Sequence, residues 1–86
     1  MDHTIDLRAF QDLLGRLENG DVSIRLRLLG EPWTKFSRLI LLSESAMIVQ
    51  DGNDRKTIVN IRNIIEFELD KPVEGIAANT HYVISY

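Results

Sequence analysis

The sequence contains no cysteine and no apolar run that approaches the ~18 residues of a membrane span. Without cysteine the chain cannot form disulfides or thiolate metal sites, which fits a reducing compartment. Its start also lacks the basic and apolar blocks that make a signal peptide. These absences predict a soluble, cytoplasmic protein.

Positive charge is also scarce, because ten lysines and arginines face thirteen acids and the net charge is −3. This balance argues against a protein that coats nucleic acid by charge alone. The charge is uneven, however, and residues 22–62 hold seven bases against four acids. Eighty-six residues make one small domain that gains by oligomerisation.

Hydrophobic periodicity predicts one helix followed by short strands. Residues 5–18 show the helical spacing of apolar residues, with Thr4 as the N-cap and Asn19-Gly20 as the stop signal. Alternation then predicts strands over 22–28, 34–42, 46–50, 56–61 and 64–69. The strand over 34–42 becomes apolar on both faces, which is typical of a bend at a barrel corner. Residues 81–86 form either a sixth strand or an ordered terminus.

This order of elements predicts a mainly β fold with one N-terminal helix. Five short strands in about fifty residues are too few for two packed sheets, and they favour a five-stranded, strongly bent barrel. The chain is then a single domain, 1–86, with the helix at about 5–18, the barrel at about 22–69, and a loop and tail at 70–86.

Two segments, "VSIRLRLLGEPWTKFSRLILLSESAMIVQDG" and "TIVNIRNIIEFEL", carry a resemblance to a known family. Together they resemble the two motifs of the Sm/LSm (Hfq-containing) RNA-binding proteins, whose helix stacks on a five-stranded SH3-like barrel. The second motif of that family runs from an apolar strand into Ile-Arg-Gly. Here Asn63 stands where the family has Gly, and Ile48 stands where the first-motif loop has Asn.

The resemblance implies a function and an assembly. Members of the family pair the fourth strand of one subunit with the fifth of the next, which implies a homo-oligomeric ring of about five to seven subunits. Such a ring binds single-stranded RNA, or DNA, through pore-facing turns, and acts as a chaperone or adaptor without a cofactor. The implied nucleic-acid-binding residues come from the two motif loops: Arg62, Asn63, Asn60, Glu44, Ser45 and Met47.

Each of these residues also has a simpler interpretation. Arg62 is either a cation repeated around a pore, suited to phosphates and stacked bases, or a turn residue paired with Glu66, Glu68 or a neighbouring subunit's acid. Asn60 and Asn63 either read base edges or satisfy the backbone of the turn.

A secondary basic surface is predicted on the first two strands, and ordinary solvated strand faces explain it equally well. Its residues are Arg25, Arg27, Lys35 and Arg38.

No catalytic or metal-binding constellation appears. Ser43 and Ser45 lack a base, and His3 and His81 lack ligand spacing, so the chain is predicted not to be an enzyme and to hold no metal. The alternative function is a structural or protein-interaction oligomerisation barrel that does not bind nucleic acid. The acidic balance and the altered first-motif loop favour that alternative.

Overall fold

The computed structural model describes residues 3–18, 20 and 23–86. One helix and eight strands form in this part of the chain, and a 3-10 turn at Ile61–Asn63 joins β6 to β7. The elements are β1 His3–Asp6, α1 Leu7–Leu17, β2 Ile24–Leu28, β3 Thr34–Phe36, β4 Arg38–Leu41, β5 Ala46–Gln50, β6 Lys56–Asn60, β7 Ile64–Leu69 and β8 Tyr82–Ser85. The predicted mainly β fold with one helix is therefore confirmed.

The described strands form two sheets, and no strand pairing among them joins the two sheets into a closed barrel. The larger sheet has the order β1-β8-β7-β2-β3, and the smaller sheet has the order β4-β5-β6. All neighbours are antiparallel except β1 and β8, which run parallel. The fold thus consists of two sheets with a shared core and one helix packed on them.

The strand predicted over 34–42 is divided at Ser37. Its first part, β3, pairs with β2, and its second part, β4, pairs with β5 in the other sheet. The Ser37 N–H donates to the Gln50 carbonyl at 2.8 Å, so hydrogen bonding to the end of β5 already begins at the residue that separates β3 from β4. The change of partner takes place within the segment where the sequence predicts a bend.

The helix begins later than the sequence predicts. Asp6, and not Thr4, is its N-cap, since the Asp6 carboxylate accepts a hydrogen bond from the Ala9 N–H at 2.8 Å. Residues 3–6 instead form β1, in which Ile5 lies opposite Ile84 of β8. The predicted stop at Asn19 and the first residue of the strand predicted from Val22 lie outside the described residues.

The core lies between α1 and the inner faces of the sheets. Helix α1 buries Phe10, Leu13 and Leu14. The Phe10 ring stacks on Phe67 of β7 at a centroid distance of 5.0 Å, and Phe67 stacks on Tyr82 of β8 at 5.2 Å. In the described part of the chain, no helix is both long and apolar enough to cross a membrane.

Of the two alternatives for the C-terminal segment, the structure shows a strand. This strand, β8, covers residues 82–85 and lies between β7 and β1. Glu66 lies opposite Val83, and Phe67 lies opposite Tyr82. Because β2 occupies the other side of β7, that strand is paired on both of its edges within one chain. The outer edge of β6 has no such neighbour among the described strands.

Candidate functional site

The fold brings the two predicted motif loops together. Strands β5 and β6 are antiparallel, so the loop before β5 and the 3-10 turn after β6 meet at the same end of the smaller sheet. The Ile61 N–H donates to the Ser45 carbonyl at 2.8 Å. We call the surface formed by residues 43–45 and 60–63 the turn–loop surface.

Arg62 lies in the middle of the 3-10 turn and its side chain is exposed. Within the described residues, no carboxylate lies within 4.0 Å of its guanidinium. Glu66 is paired with Arg27, and Glu68 with other bases. The interpretation in which Arg62 pairs with Glu66 or Glu68 is therefore not what this chain shows.

The two asparagines beside Arg62 have different roles. The Asn60 side-chain oxygen accepts a hydrogen bond from the Arg62 N–H at 2.9 Å, so it caps the turn as its simpler interpretation holds. Asn63 has no positive φ, because the chain forms a 3-10 turn there and not a left-handed one. Its carbonyl accepts from the Leu29 N–H at 2.8 Å, and its side chain is exposed.

The loop before β5 is tied to the helix. Gln11 Nε2 donates to the Glu44 carbonyl at 2.8 Å, while the Glu44 side chain is exposed. The Ser45 N–H donates to Ser43 Oγ at 3.2 Å, which leaves the loop compact. Two of the three predicted loop residues, Glu44 and Ser45, are thus available at the surface.

Met47 is the exception, because this structure places its side chain in the core and not at the turn–loop surface. Its side chain is 0% exposed and belongs to the core. Successive side chains of a strand point to opposite faces, and Met47 and Val49 occupy the inner face of β5.

Tyr86 also lies at the turn–loop surface, although no sequence motif points to it. Its hydroxyl lies 2.7 Å from the Ile61 carbonyl and also contacts the Ile64 carbonyl, so it can donate to either end of the turn. Burial raises the pKa of Tyr86, and the positive charge of Arg62 opposes this shift. The phenol therefore remains a donor at neutral pH. Only the long-range packing of β8 brings it there, so no local sequence signal could have found it.

An apolar cleft of about 350 Å³ opens between α1 and this surface. It is suited to an apolar group or to the face of a base. Its lining residues are Gln11, Leu14, Leu41, Leu42, Ser43, Glu44 and Ile61.

The predicted secondary basic surface is instead part of an ion-pair network on the larger sheet. Arg25 contacts Asp70 at 2.9 Å and Glu68 at 3.6 Å, and Lys35 contacts Asp70 at 2.9 Å. The strand register places Arg25 opposite Glu68 of β7 and Lys35 of β3 opposite Arg25. Arg27 lies opposite Glu66 and pairs with it.

Arg38 is separate from this network, because it lies on β4 in the smaller sheet. Three of the four predicted bases are neutralised by neighbours and the fourth lies elsewhere. In this structure the four residues therefore do not form one continuous group of unpaired bases.

Asp70 is the centre of the network and its pKa reflects this. The hydrogen bond from the Ser23 hydroxyl lowers the pKa of Asp70 most, and the hydrogen bond from Lys35 comes next. The positive charges of Arg25 and Lys35 lower this pKa further. Together they lower the pKa of Asp70 from 3.8 to about 2, although burial opposes the shift. Within the described residues, these groups are therefore paired with one another.

His81 completes the network, since its Nε2 lies 2.8 Å from Glu68 and its ring stacks on Trp33 at 5.2 Å. Among the described residues, no group of three or more His, Cys, Asp or Glu side chains could hold a metal ion.

Comparison of the chain with protein-family models, curated proteins and solved structures finds no match. The resemblance to the Sm/LSm family thus rests on the two sequence motifs alone.

Proposed function

We propose that this protein binds single-stranded RNA, or single-stranded DNA, through the turn–loop surface, and acts without turnover as a chaperone or adaptor. The observation that carries the proposal is the exposed Arg62, whose guanidinium has no carboxylate within 4.0 Å among the described residues. A guanidinium in this position offers planar donors for a phosphate and a flat face for a base.

The neighbours of Arg62 fit this task. The hydrogen bond from the Arg62 N–H to the Asn60 side chain fixes the backbone at Arg62, and the Tyr86 hydroxyl can donate to the carbonyl at either end of the turn. Arg62 therefore extends from a turn that is already ordered, so less conformational entropy is lost when a strand of nucleic acid binds. The exposed Asn63, Glu44 and Ser45 supply polar groups at its edge.

We also propose that the strands form a strongly bent, Sm-like barrel. The order of one helix and then β2 to β7, the change of sheet at Ser37 and the turn at Ile61–Asn63 support this interpretation. The ring of about five to seven subunits stays a prediction. It requires β6 to pair with β7 of a neighbour, and β8 occupies that edge of β7 at Glu66 and Phe67.

The test is fluorescence anisotropy of labelled oligo-U and oligo-A with the protein and two variants. Arg62→Ala should weaken binding by about tenfold or more, since a hydrogen bond to a charged group is worth about 1.5–3 kcal/mol. Arg55→Ala is the matched control, because it removes the same charge at the opposite end of β6 and should leave binding nearly unchanged. Equal affinities for all three proteins would refute the proposal.

A second candidate is the protein-interaction module. Its support is the outer face of the smaller sheet, where Ile40, Leu42 and Ile58 are 44%, 52% and 69% exposed. Exposed apolar side chains that lie together often mark a protein contact. If this second function is correct, the same titration should show no measurable affinity of the unmodified protein for either oligonucleotide at low salt.

A further inference from the structure

Strand β6 has an outer edge with unused backbone hydrogen-bonding groups. Two bonds bracket its ladder with β5, from the Asp51 N–H to the Arg55 carbonyl and from the Ile61 N–H to the Ser45 carbonyl. Bonded and non-bonded positions alternate in an antiparallel pair, so the bonds to β5 also fall on Thr57 and Val59. The N–H groups of the alternate residues, at 56, 58 and 60, therefore point away from β5.

The centre of this edge is apolar and exposed. Ile58 is 69% exposed, and Leu29, which is 70% exposed, lies across a groove of about 410 Å³ beside β6. Natural edge strands are usually protected by charges, prolines, bulges or a covering segment. In β6 the charged Lys56 lies at one end of the strand, and no described segment covers the middle of its outer edge.

The other outer edges of the described sheets are poor partners for β6. On β1, the His3 N–H donates to the His81 carbonyl, so the backbone N–H groups of Thr4 and Asp6 point outward. Asp6 is already the N-cap of α1. On β4, the Leu41 N–H donates to a Glu18 carboxylate oxygen at 2.6 Å. Strand β3 has only three residues, so the edge that best matches β6 is β6 itself.

We infer that two copies of this chain pair through β6, antiparallel, about a two-fold axis at Ile58. In this register Ile58 exchanges both backbone bonds with Ile58 of the second copy, which uses the groups that point outward. Each Lys56 then faces an Asn60, so no like charges are opposed. The pairing joins two three-stranded sheets into one of six strands and closes both exposed edges. It requires no nucleic acid and therefore goes beyond the proposed function.

The first experiment is multi-angle light scattering of the full chain over a range of concentrations, without nucleic acid. The expected mass is twice that of the 9.9 kDa monomer. A monomer at every concentration would overturn the inference. A mass of five to seven chains would do so as well, since a ring needs β6 to pair with a different strand.

A pair of matched variants separates the edge from the face of the sheet. Ile58→Lys places two like charges at the two-fold axis and should give a monomer, while circular dichroism confirms that the exposed site tolerates the change. Ile40→Lys makes the same substitution on the exposed face of the same sheet, but on β4, and should leave the dimer intact. Loss of the dimer in both variants would mean that the face, and not the β6 edge, is the contact.

A disulfide tests the register directly, because the chain has no cysteine of its own. Bonded antiparallel positions lie about 5.5 Å apart between Cα atoms, which is within the range that a disulfide spans. Ile58→Cys should therefore form a covalent dimer with diamide as the oxidant, and Ile40→Cys should not. Failure of Ile58→Cys to cross-link at concentrations where the protein is dimeric would refute this register.

Discussion

Replacing Phe10 by alanine should destabilise this protein more than a change at the surface of the same helix. Phe10 is 0% exposed, and its ring is the first of three that stack from α1 across β7 to Tyr82 of β8. Truncation removes the contact with Phe67 and leaves a cavity between the helix and the larger sheet.

The expected cost follows from these contacts. A buried Phe→Ala change costs about 3–5 kcal/mol, and the aromatic stack accounts for about 0.5–1.5 kcal/mol of packing beyond area. A domain of this length has a total free energy of unfolding of about 4–13 kcal/mol. The variant therefore loses a large share of its stability. Phe10→Leu keeps most of the volume and loses the stack, so it should cost about 1–2 kcal/mol.

The assay is equilibrium unfolding in urea, followed by far-UV circular dichroism. Arg8→Ala is the control, because Arg8 is exposed on the same helix and should change the free energy of unfolding by less than about 0.5 kcal/mol. A loss below about 1 kcal/mol for Phe10→Ala would refute the packing of α1 against β7 described here.

Two further predictions concern charged groups. The pKa of Asp70 falls from 3.8 to about 2 on folding, so its stabilising effect is present above about pH 4 and is lost as the pH drops toward 2. Asp70→Asn should therefore lose less stability than the unmodified protein between pH 5 and pH 2 in urea titrations, and an equal loss would contradict the network. Asp6→Ala removes the N-cap of α1 and should cost about 1 kcal/mol in the same assay, whereas Thr4→Ala should cost less if Asp6 is the cap.

The elements that could be predicted from the sequence are those with a local signal. Alternation placed β5 at 46–50 and β7 at 64–69 correctly, because one face of each strand is buried. The same alternation puts Met47 on the inner face with Val49, and the family resemblance, which assigned Met47 to a binding loop, pointed the other way. For that residue the physical pattern was the better guide.

What the sequence could not show depends on contacts between distant residues. Strand β1 exists because β8 pairs with it, and nothing within "HTID" signals a strand. The pairing of Arg25 with Asp70 follows from the register of β2 against β7, which the sequence does not reveal. Tyr86 reaches Ile61 for the same reason, since the path of β8 carries it there.

The position of β8 between β1 and β7 has a consequence for the order of folding. The smaller sheet is a meander of neighbouring strands, so it can form through short loops. The larger sheet needs residues 3–6 to meet residues 82–85, and contacts so far apart in sequence form slowly. During synthesis, the turn that carries Arg62 therefore emerges before the Tyr86 hydroxyl that holds it. The smaller sheet should assemble first, and the proposed binding surface should become rigid only in the last step.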